Sequence, residues 1–417
     1  MKRLIALASV LAAVAAADAV TLEVSGARQR YPWNGKVDID YSIVLSEGEA
    51  PLDAASDRIE ALAVDESDSP ARTNVLHVFE PAVLPLSAGS HRVTWDAKAE
   101  GLDFASGDFK VVLSVCHYAP KYLVIDVSAG KDALSYPVAY LDGTPTTPGG
   151  FNTEKYKGDS IVLRLIPAGS FVMGSPATGD EGGKNVRIAA REEQHPVTLT
   201  RPYYIGLFEI TQKQYFNVTG AEPSTYAGSY RPVEKVSYGD IRGTNKGSLW
   251  PDGKEVDETS FVGLLSKKTG LSFDLPTDAQ WEYACRAGTV SAFNDGSAYG
   301  TGAMARLGCF RDNPGIDGKH TVVGSYQANA WGLYDMHGNV GEWCLDFVKD
   351  AVETLGQRVD PVGPDANTRQ ANYRILRGGC HSDGENYCRS ANRLYEYNDP
   401  NKTRYDKYGF RIALTLK

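Results

Sequence analysis

The chain has 417 residues, a formal net charge of −9 and 42% hydrophobic residues. A length of this order favours two domains. The acidic balance argues against nonspecific binding to DNA or RNA, which requires a basic surface. The 42 glycines, and the excess of Tyr (23) over Phe (13), indicate a loop-rich fold with many polar aromatic contacts.

Residues 1–19 have the composition of a secretory signal peptide. Lys2 and Arg3 precede an apolar stretch over residues 4–17, and small residues follow it. The stretch is shorter than the roughly 20 apolar residues that a membrane-spanning helix needs, and no later segment is apolar enough to span. We therefore expect a secreted or periplasmic protein without a transmembrane span after cleavage.

Residues 20–143 are predicted to form an all-β sandwich. Apolar and polar residues alternate over residues 37–43 with the period of a half-buried strand, and residues 109–115 and 122–127 are further β-rich runs. Turn-forming residues separate these runs, as in a small antiparallel sandwich. Pro and Gly are then concentrated in residues 144–155, which are predicted as a linker.

Residues 156–417 are predicted to form a second domain in which short helices are set among long irregular segments. The Thr-x-x-Gln pattern of a capping box begins at Thr211 and again at Thr277, and a third helix is expected over residues 258–268. From Thr289 onwards the chain is rich in Gly, Asn and Asp. Such a stretch must be held by turns, hydrogen-bonded side chains, ions or disulfides.

The second domain contains several motifs in a fixed order. They are IPAGSFVMGS from Ile166, YIGLFEIT from Tyr204, LPTDAQWEYA from Leu275, NAWGLYDMHGNVGEW from Asn329, LRGG from Leu376 and GFR from Gly409. In order and spacing they resemble the formylglycine-generating enzyme, or sulfatase-modifying factor, family over residues 158–417. The resemblance implies a C-type-lectin-like α+β fold with little regular secondary structure, outside which the N-terminal sandwich lies.

The segment from Asp335 to Glu342 has a chemical interpretation of its own. The two carboxylates lie seven residues apart in a loop that contains Gly338. Calcium binds six to eight oxygens from carboxylates and carbonyls, although a hydrogen-bonded turn also explains the pattern. The family resemblance implies a structural calcium ion bound by the side chains of Asp335 and Glu342 and by the carbonyls of Gly338 and Val340.

The resemblance also implies copper chemistry. In the family's enzyme, two cysteines separated by four residues follow a Gly-Gly-Ser segment and bind copper(I), and a substrate cysteine in Cys-X-Pro-X-Arg is oxidised to formylglycine. Here a Gly-Gly pair precedes Cys380, seven residues separate it from Cys388, and Glu385 stands near the expected second ligand. Gly341 replaces the family's usual tryptophan. The copper-binding thiol pair is therefore not matched.

Three interpretations of Cys380 and Cys388 stay open. They could form a shifted copper pair, they could be structural or disulfide-bonded with Cys344 as another partner, or they could be buried, unpaired thiols. Export permits disulfides, but six cysteines do not reveal their pairing. The histidines are scattered, and none of them has the spacing of a metal-binding pair.

Tyr and Asn are concentrated over residues 380–408, as in binding loops that make large contacts at low entropic cost. The candidate ligand-binding residues are Tyr387, Tyr395, Tyr397 and Tyr405, and ordinary packing of an aromatic-rich fold is the alternative. We therefore predict a calcium-stabilised, lectin-like module that binds a protein or glycan. The alternative function is an oxidoreductase that converts a substrate-protein cysteine to formylglycine.

Overall fold

The computed structural model describes most of the chain after the expected signal peptide. The described residues are 20–31, 34–45, 52, 57–65, 72–76, 78–81, 84–99, 109–117, 120–177, 186, 191–243, 256–313, 317–348, 359–362, 373–397 and 404–416. Residues 1–19 lie outside them. The chain divides into two compact units, one of Met1–Ala119 with Pro167–Ser170 and one of Pro120–Ile166 with Phe171–Lys417. Among the described residues, no helix has the length and apolar character to cross a membrane.

The first unit consists of two antiparallel sheets. Its strands are β1 (Val20–Gln29), β2 (Lys36–Leu45), β3 (Asp57–Asp65), β4 (Arg72–Leu76), β5 (Phe79–Glu80), β6 (Gly89–Asp96) and β7 (Phe109–His117). One sheet has the order β1-β2-β6-β5 and the other the order β4-β3-β7. Every second side chain of β2 is buried, as the alternating sequence predicts. Both sheets contribute to one hydrophobic core, which includes Ile39, Ala61, Trp95 and Leu113.

The chain from Pro120 onwards combines short strands with short helices. Its strands are β8 (Tyr122–Asp126), β9 (Val138–Leu141), β10 (Ser160–Ile166), β11 (Gly169–Met173), β12 (His195–Leu199), β13 (Tyr203–Gly206), β14 (Gly341–Phe347), β15 (Tyr373–Arg377), β16 (Leu394–Tyr397), β17 (Tyr408–Gly409) and β18 (Ala413–Thr415). Its helices are α1 (Gln212–Thr219), α2 (Tyr238–Arg242), α3 (Phe261–Thr269), α4 (Asp278–Arg286) and α5 (Met304–Leu307). The larger sheets have the orders β18-β13-β10-β8-β9 and β16-β15-β14-β17.

The boundary between the units differs from the one expected after residue 143. Strand β8 pairs antiparallel with β10, and β9 pairs with β8, so both strands belong to the second unit. Residues 144–155 are therefore not an interdomain linker. Phe151, within them, is buried in the core of the second unit, with its ring centroid 4.6 Å from that of Tyr122. The local pattern identified the strand at residues 122–127 but not its partner.

Two helices begin at the predicted capping residues. The Thr211 side chain accepts a hydrogen bond from the backbone N–H of Gln214, and Thr277 does the same from Gln280, each within a reciprocal capping box. Helix α3 begins after Ser260, slightly later than expected, because this hydroxyl accepts from the N–H of Gly263. These caps fix the residues at which α1 and α4 begin.

The segment after β13 meets the loop before β14 inside the second unit. The backbone N–H of Tyr334 donates to the carbonyl of Leu207 at 3.0 Å. Glu209 lies on the first segment, and Asp335 lies on the second. The candidate site lies where these two segments are in contact.

Candidate functional site

Three carboxylates converge in the interior of the second unit. Glu209, Asp335 and Glu342 are at most 1% exposed, and we refer to them as the acidic group. Glu209 follows β13, Asp335 lies in the loop with a φ of 56°, and Glu342 is the second residue of β14. Burial of three like charges requires compensating cations or protonation.

Glu342 is already compensated. Arg411 donates to its two oxygens, from Nε at 2.6 Å and from Nη2 at 2.7 Å, and Trp281 Nε1 donates at 2.8 Å. Arg411 also donates to the carbonyls of Gly206 and Tyr334. This carboxylate, predicted as a calcium ligand, therefore anchors β14 to the segment before β18.

Glu209 and Asp335 lack such a partner. Asp335 Oδ2 accepts from the N–H of Gly324 at 2.6 Å, but no described group bonds its buried Oδ1. Glu209 accepts from Asn339 Nδ2 at 2.6 Å and from the N–H of Val340 at 3.1 Å. Burial raises the pKa of Asp335 to about 6. Burial and the nearby charge of Asp335 raise the pKa of Glu209 well above its ordinary value.

The loop geometry brings three of the four predicted calcium residues into one turn. Gly338 has a φ of 87°, and a Cβ there would lie 2.1 Å from the carbonyl oxygen of Cys309, so only glycine fits. Asp335 and Val340 lie on either side of it. The Asp335 carboxylate accepts from the N–H of Gly324, and the N–H of Val340 donates to Glu209. Sequence reasoning missed Glu209, whose only signal was its place in the LFEIT motif.

The described residues contain no closed cluster of metal-binding side chains. No three His, Cys, Asp or Glu side chains among them stand together as a ligand set. A cation bound to the acidic group would therefore depend on backbone carbonyls as well as on Glu209 and Asp335. Calcium, unlike zinc, uses such carbonyl ligands readily.

The cysteines of the second unit are all buried and free. They are Cys285, Cys309, Cys344, Cys380 and Cys388. The structure thus contains no disulfide between Cys380 and Cys388, nor one between either of them and Cys344. Of the three interpretations drawn from the sequence, it agrees with buried, unpaired thiols.

The environment of Cys380 and Cys388 favours the protonated thiol. Cys380 Sγ lies 3.1 Å from Asp383 Oδ2 and 3.2 Å from Ser382 Oγ, and burial raises its pKa to about 12. Burial also raises the pKa of Cys388 well above its usual range. Glu385, near the expected position of the second copper ligand, accepts from the N–H of Gly300 at 3.1 Å.

Gly341 is closely covered by an aromatic ring. A Cβ on Gly341 would lie 3.1 Å from Cδ1 of Tyr408, which is buried. The Tyr408 ring also packs edge-on against Trp343, with a centroid distance of 5.9 Å. Tyr408 therefore crowds the position at which the family has tryptophan.

Three of the four candidate ligand-binding tyrosines have exposed side chains in the described part of the chain. Tyr387 and Tyr395 are 38% exposed and Tyr405 is 46% exposed. The Arg191 guanidinium lies 4.0 Å from the ring centroid of Tyr395. Tyr397 ends β16, and its side chain lies outside the described residues. No ring contact joins Tyr387, Tyr395 and Tyr405 in the described part of the chain.

Comparison with known proteins identifies relatives of the second unit. A family model described as "Sulfatase-modifying factor enzyme 1-like domain" matches residues 151–416. The formylglycine-generating enzyme of Streptomyces coelicolor is 26% identical over 284 residues, which cover 60% of this chain and 87% of that enzyme. "Chaperone protein LppX" of Paenibacillus barcinonensis is 31% identical over 197 residues, covering 40% of this chain and 70% of that protein.

The chain is also similar to part of a larger protein and to a solved structure. The serine/threonine-protein kinase Pkn1 of Chlamydia trachomatis is 36% identical over 249 residues, which cover 57% of this chain but only 38% of the kinase. The structure of PvdO from Pseudomonas aeruginosa is 25% identical, has a TM-score of 0.49, and covers 61% of this chain and 94% of PvdO.

Proposed function

The chain belongs to the formylglycine-generating-enzyme, or sulfatase-modifying factor, family through residues 151–416, and from that membership we propose that it acts as a binding module. In this proposal the chain is exported, its second unit is a calcium-stabilised, lectin-like domain that binds a protein or glycan, and the two sheets of the first unit form a β-sandwich. The proposal assigns it no formylglycine-generating activity.

The state of the thiols carries the proposal. Copper(I) bound to two thiolates supplies the oxygen-activating chemistry of the family's enzyme. Cys380 and Cys388 are both fully buried, and burial raises the pKa of each, so neither is a ready thiolate at neutral pH. Because seven residues separate these two thiols, where the family's enzyme has four, and Glu385 stands near the second ligand position, the proposal treats the copper pair of the alternative oxidoreductase function as not retained.

The acidic group supports calcium. Asp335 Oδ1 is buried without a donor among the described residues, and the nearby charge of Glu209 is also buried. A hard divalent cation would offset a repulsion that Arg411 and Lys157 relieve only in part. Asp335 and Glu209 would hold the ion together with carbonyls of the loop around Gly338. The ion would join this loop to the segment after β13, and its role would be structural.

The exposed tyrosines support a binding role. An aromatic ring presents a flat apolar face with a polar edge, which suits both sugar rings and protein side chains. Tyr395 lies on the edge strand β16, where the guanidinium of Arg191 stacks against its ring and Tyr373 packs at a centroid distance of 5.5 Å. Such support lowers the entropy that binding would otherwise cost.

A conversion assay tests the absence of oxidoreductase activity. The mature protein, calcium-loaded and supplied with copper(I) and oxygen, is incubated with a Cys-X-Pro-X-Arg peptide and followed by mass spectrometry. We expect no aldehyde product. If the peptide cysteine is converted, and Cys380→Ser or Cys388→Ser abolishes the conversion, the chain is an oxidoreductase and the binding-module proposal fails.

A binding assay tests the tyrosine face. The mature protein is applied to glycan and peptide arrays beside Tyr395→Ala, Tyr405→Ala and the control Phe216→Ala, whose side chain is 45% exposed on helix α1. We expect a defined set of ligands that both tyrosine variants lose and the control keeps. Equal signals from all four proteins, or no binding by any of them, would contradict this assignment.

A further inference from the structure

A second buried polar group lies on the other side of Asn339 from the acidic group. It consists of Glu234, His320 and His381, and we call it the histidine group. Glu234 and His320 are 0% exposed, and His381 is 3% exposed. The Asn339 side chain donates to Glu209, whereas its carbonyl oxygen lies 3.2 Å from His381 Nδ1. Asn339 thus separates an all-oxygen group from one that offers imidazole nitrogens.

His320 has no hydrogen-bond partner. Neither Nδ1 nor Nε2 of His320 is bonded to any described group, and Oε2 of Glu234 is equally unbonded. His337, also fully buried, shows the ordinary arrangement, because its Nδ1 donates to the carbonyl of Cys388 at 2.7 Å and its Nε2 accepts from the N–H of Asn294 at 3.1 Å. Buried polar atoms without partners are rare in folded proteins, so those of the histidine group call for a ligand.

The distance between the His320 imidazole and the Glu234 carboxylate fits a bridging metal ion better than a shared proton. His320 Nε2 lies 3.7 Å from Glu234 Oε1, which is too far for a hydrogen bond. A nitrogen and an oxygen that are each about 2.0–2.2 Å from one tetrahedral zinc ion lie roughly 3.4 Å apart. The gap between Glu234 and His320 is therefore close to the span of one bridging ion.

His381 can supply a third ligand nitrogen. Its Nδ1–H donates to the Asn339 carbonyl, which leaves the Nε2 lone pair available, and this outer hydrogen bond is the usual support of a metal-binding imidazole. Its ring centroid lies 5.7 Å from that of His320. Tyr226 packs edge-on against both rings, at 5.4 and 5.7 Å, and its backbone N–H holds Glu234 Oε1 at 2.8 Å.

We propose that Glu234, His320 and His381 bind a divalent transition-metal ion of the zinc type. The side chains do not yet form a closed ligand set as they stand, so the ion draws the carboxylate of Glu234 and the ring of His381 towards His320 by small side-chain rotations. Imidazole nitrogens favour zinc over calcium, whereas the all-oxygen acidic group favours calcium. The two sites therefore select different ions.

Zinc titration of the full mature chain tests this site. The protein is stripped with a chelator, saturated with Ca²⁺, and titrated with Zn²⁺ by calorimetry, and Co²⁺ replaces Zn²⁺ for an absorption spectrum. We expect one tight site and the visible bands of four-coordinate Co²⁺ without a thiolate charge-transfer band. Glu234→Gln and His320→Gln should each weaken Zn²⁺ binding at least about 10-fold, since even the loss of an outer-shell partner has that effect.

His195→Gln is the matched control, because its imidazole lies outside the group and contacts the carbonyl of Glu193. Circular dichroism establishes that each variant is folded. If His320→Gln does not fold, Glu234→Gln still tests the site, because glutamine has nearly the same shape as glutamate. The proposal is overturned if the wild-type chain takes up no Zn²⁺, if both site variants bind it as the control does, or if the Co²⁺ spectrum shows thiolate ligands.

Discussion

At the scale of single residues, the two glutamates of the acidic group show what could and could not be predicted from the sequence. The spacing from Asp335 predicted Glu342 as a calcium ligand, but its carboxylate is bonded to Arg411, 69 residues away in the sequence. Glu209, which no local pattern singled out, lies 130 residues from its partner Asn339. Local spacing shows which residues share a turn, but it does not show which distant charge reaches them.

The ion pair between Arg411 and Glu342 makes a strong prediction for stability. Arg411→Met leaves a fully buried carboxylate without its cation, so we expect the free energy of unfolding to fall by about 3–5 kcal/mol. The control Arg404→Met breaks an exposed pair with Asp240 and should cost less than about 1 kcal/mol. Urea unfolding followed by tryptophan fluorescence measures both, and similar losses would contradict the assignment.

The acid stability of the second unit should depend on Asp278. Burial raises the pKa of this carboxyl, but the guanidiniums of Arg377 and Arg393 outweigh burial and hold the pKa below its ordinary value. A lowered folded-state pKa contributes stability above the unfolded pKa of about 3.9, and that stability is lost as the pH falls through the folded value.

We therefore expect Asp278→Asn to be less stable than the wild type at pH 7 and to lose less further stability below about pH 4. Melting temperatures from pH 7 to pH 2 measure the difference between the two proteins. The variant Asp132→Asn, at an exposed pair with Lys131, is the control. A constant difference across the whole range would show that Asp278 does not titrate as described.

At the scale of elements, helix starts were predictable and strand partners were not. A capping side chain and the N–H that it binds lie three residues apart, so Thr211 and Thr277 could be found from the sequence. Helix α2 has the same device at Ser237, with Asp240 in place of Gln, and was missed. The pairing of β8 with β10 spans a longer distance along the chain, and therefore local periodicity assigned β8 to the first domain.

The placement of β8 predicts the behaviour of two fragments. Tyr122 and Val124 are buried in the core of the second unit, and β8 covers the hydrogen-bonding edge of β10. A fragment of residues 151–417 exposes that edge and that core, so we expect it to aggregate. A fragment of residues 120–417 should be folded and monodisperse. Size-exclusion chromatography and circular dichroism compare them, and equal behaviour would argue against the boundary at Pro120.

At the scale of the whole molecule, motif order predicted the family, which the match over residues 151–416 confirms. The α+β character of this region was implied by the family resemblance, and the short helices and irregular segments predicted from the sequence agreed with it. The division into units was less predictable. The sheet with the order β18-β13-β10-β8-β9 combines strands that lie far apart in the sequence, and local patterns do not show that they pair. The ligand is a separate question, since one fold serves many functions.

Removal of calcium should destabilise the second unit. We expect a chelator to lower the melting temperature of the wild type, because an ion at 100 times its dissociation constant contributes about 2.7 kcal/mol. Asp335→Asn should lose this response and, without calcium, should equal or exceed the wild type, because it removes a buried charge beside Glu209. A chelator effect that is absent from the wild type, or unchanged in Asp335→Asn, would contradict a cation at Asp335.

The contact between Gly341 and Tyr408 has a consequence for substitutions at both positions. A tryptophan at position 341 would require the Tyr408 ring to leave, and Tyr408 is also packed against Trp343 and Tyr405. A large side chain at position 341 therefore requires a compensating change at Tyr408. The same holds for a second thiol at Glu385, whose carboxylate now binds the Gly300 backbone. If the chain has no copper pair, as we propose, introducing one would therefore require changes at the packed and bonded neighbours of these positions as well as the new thiol itself.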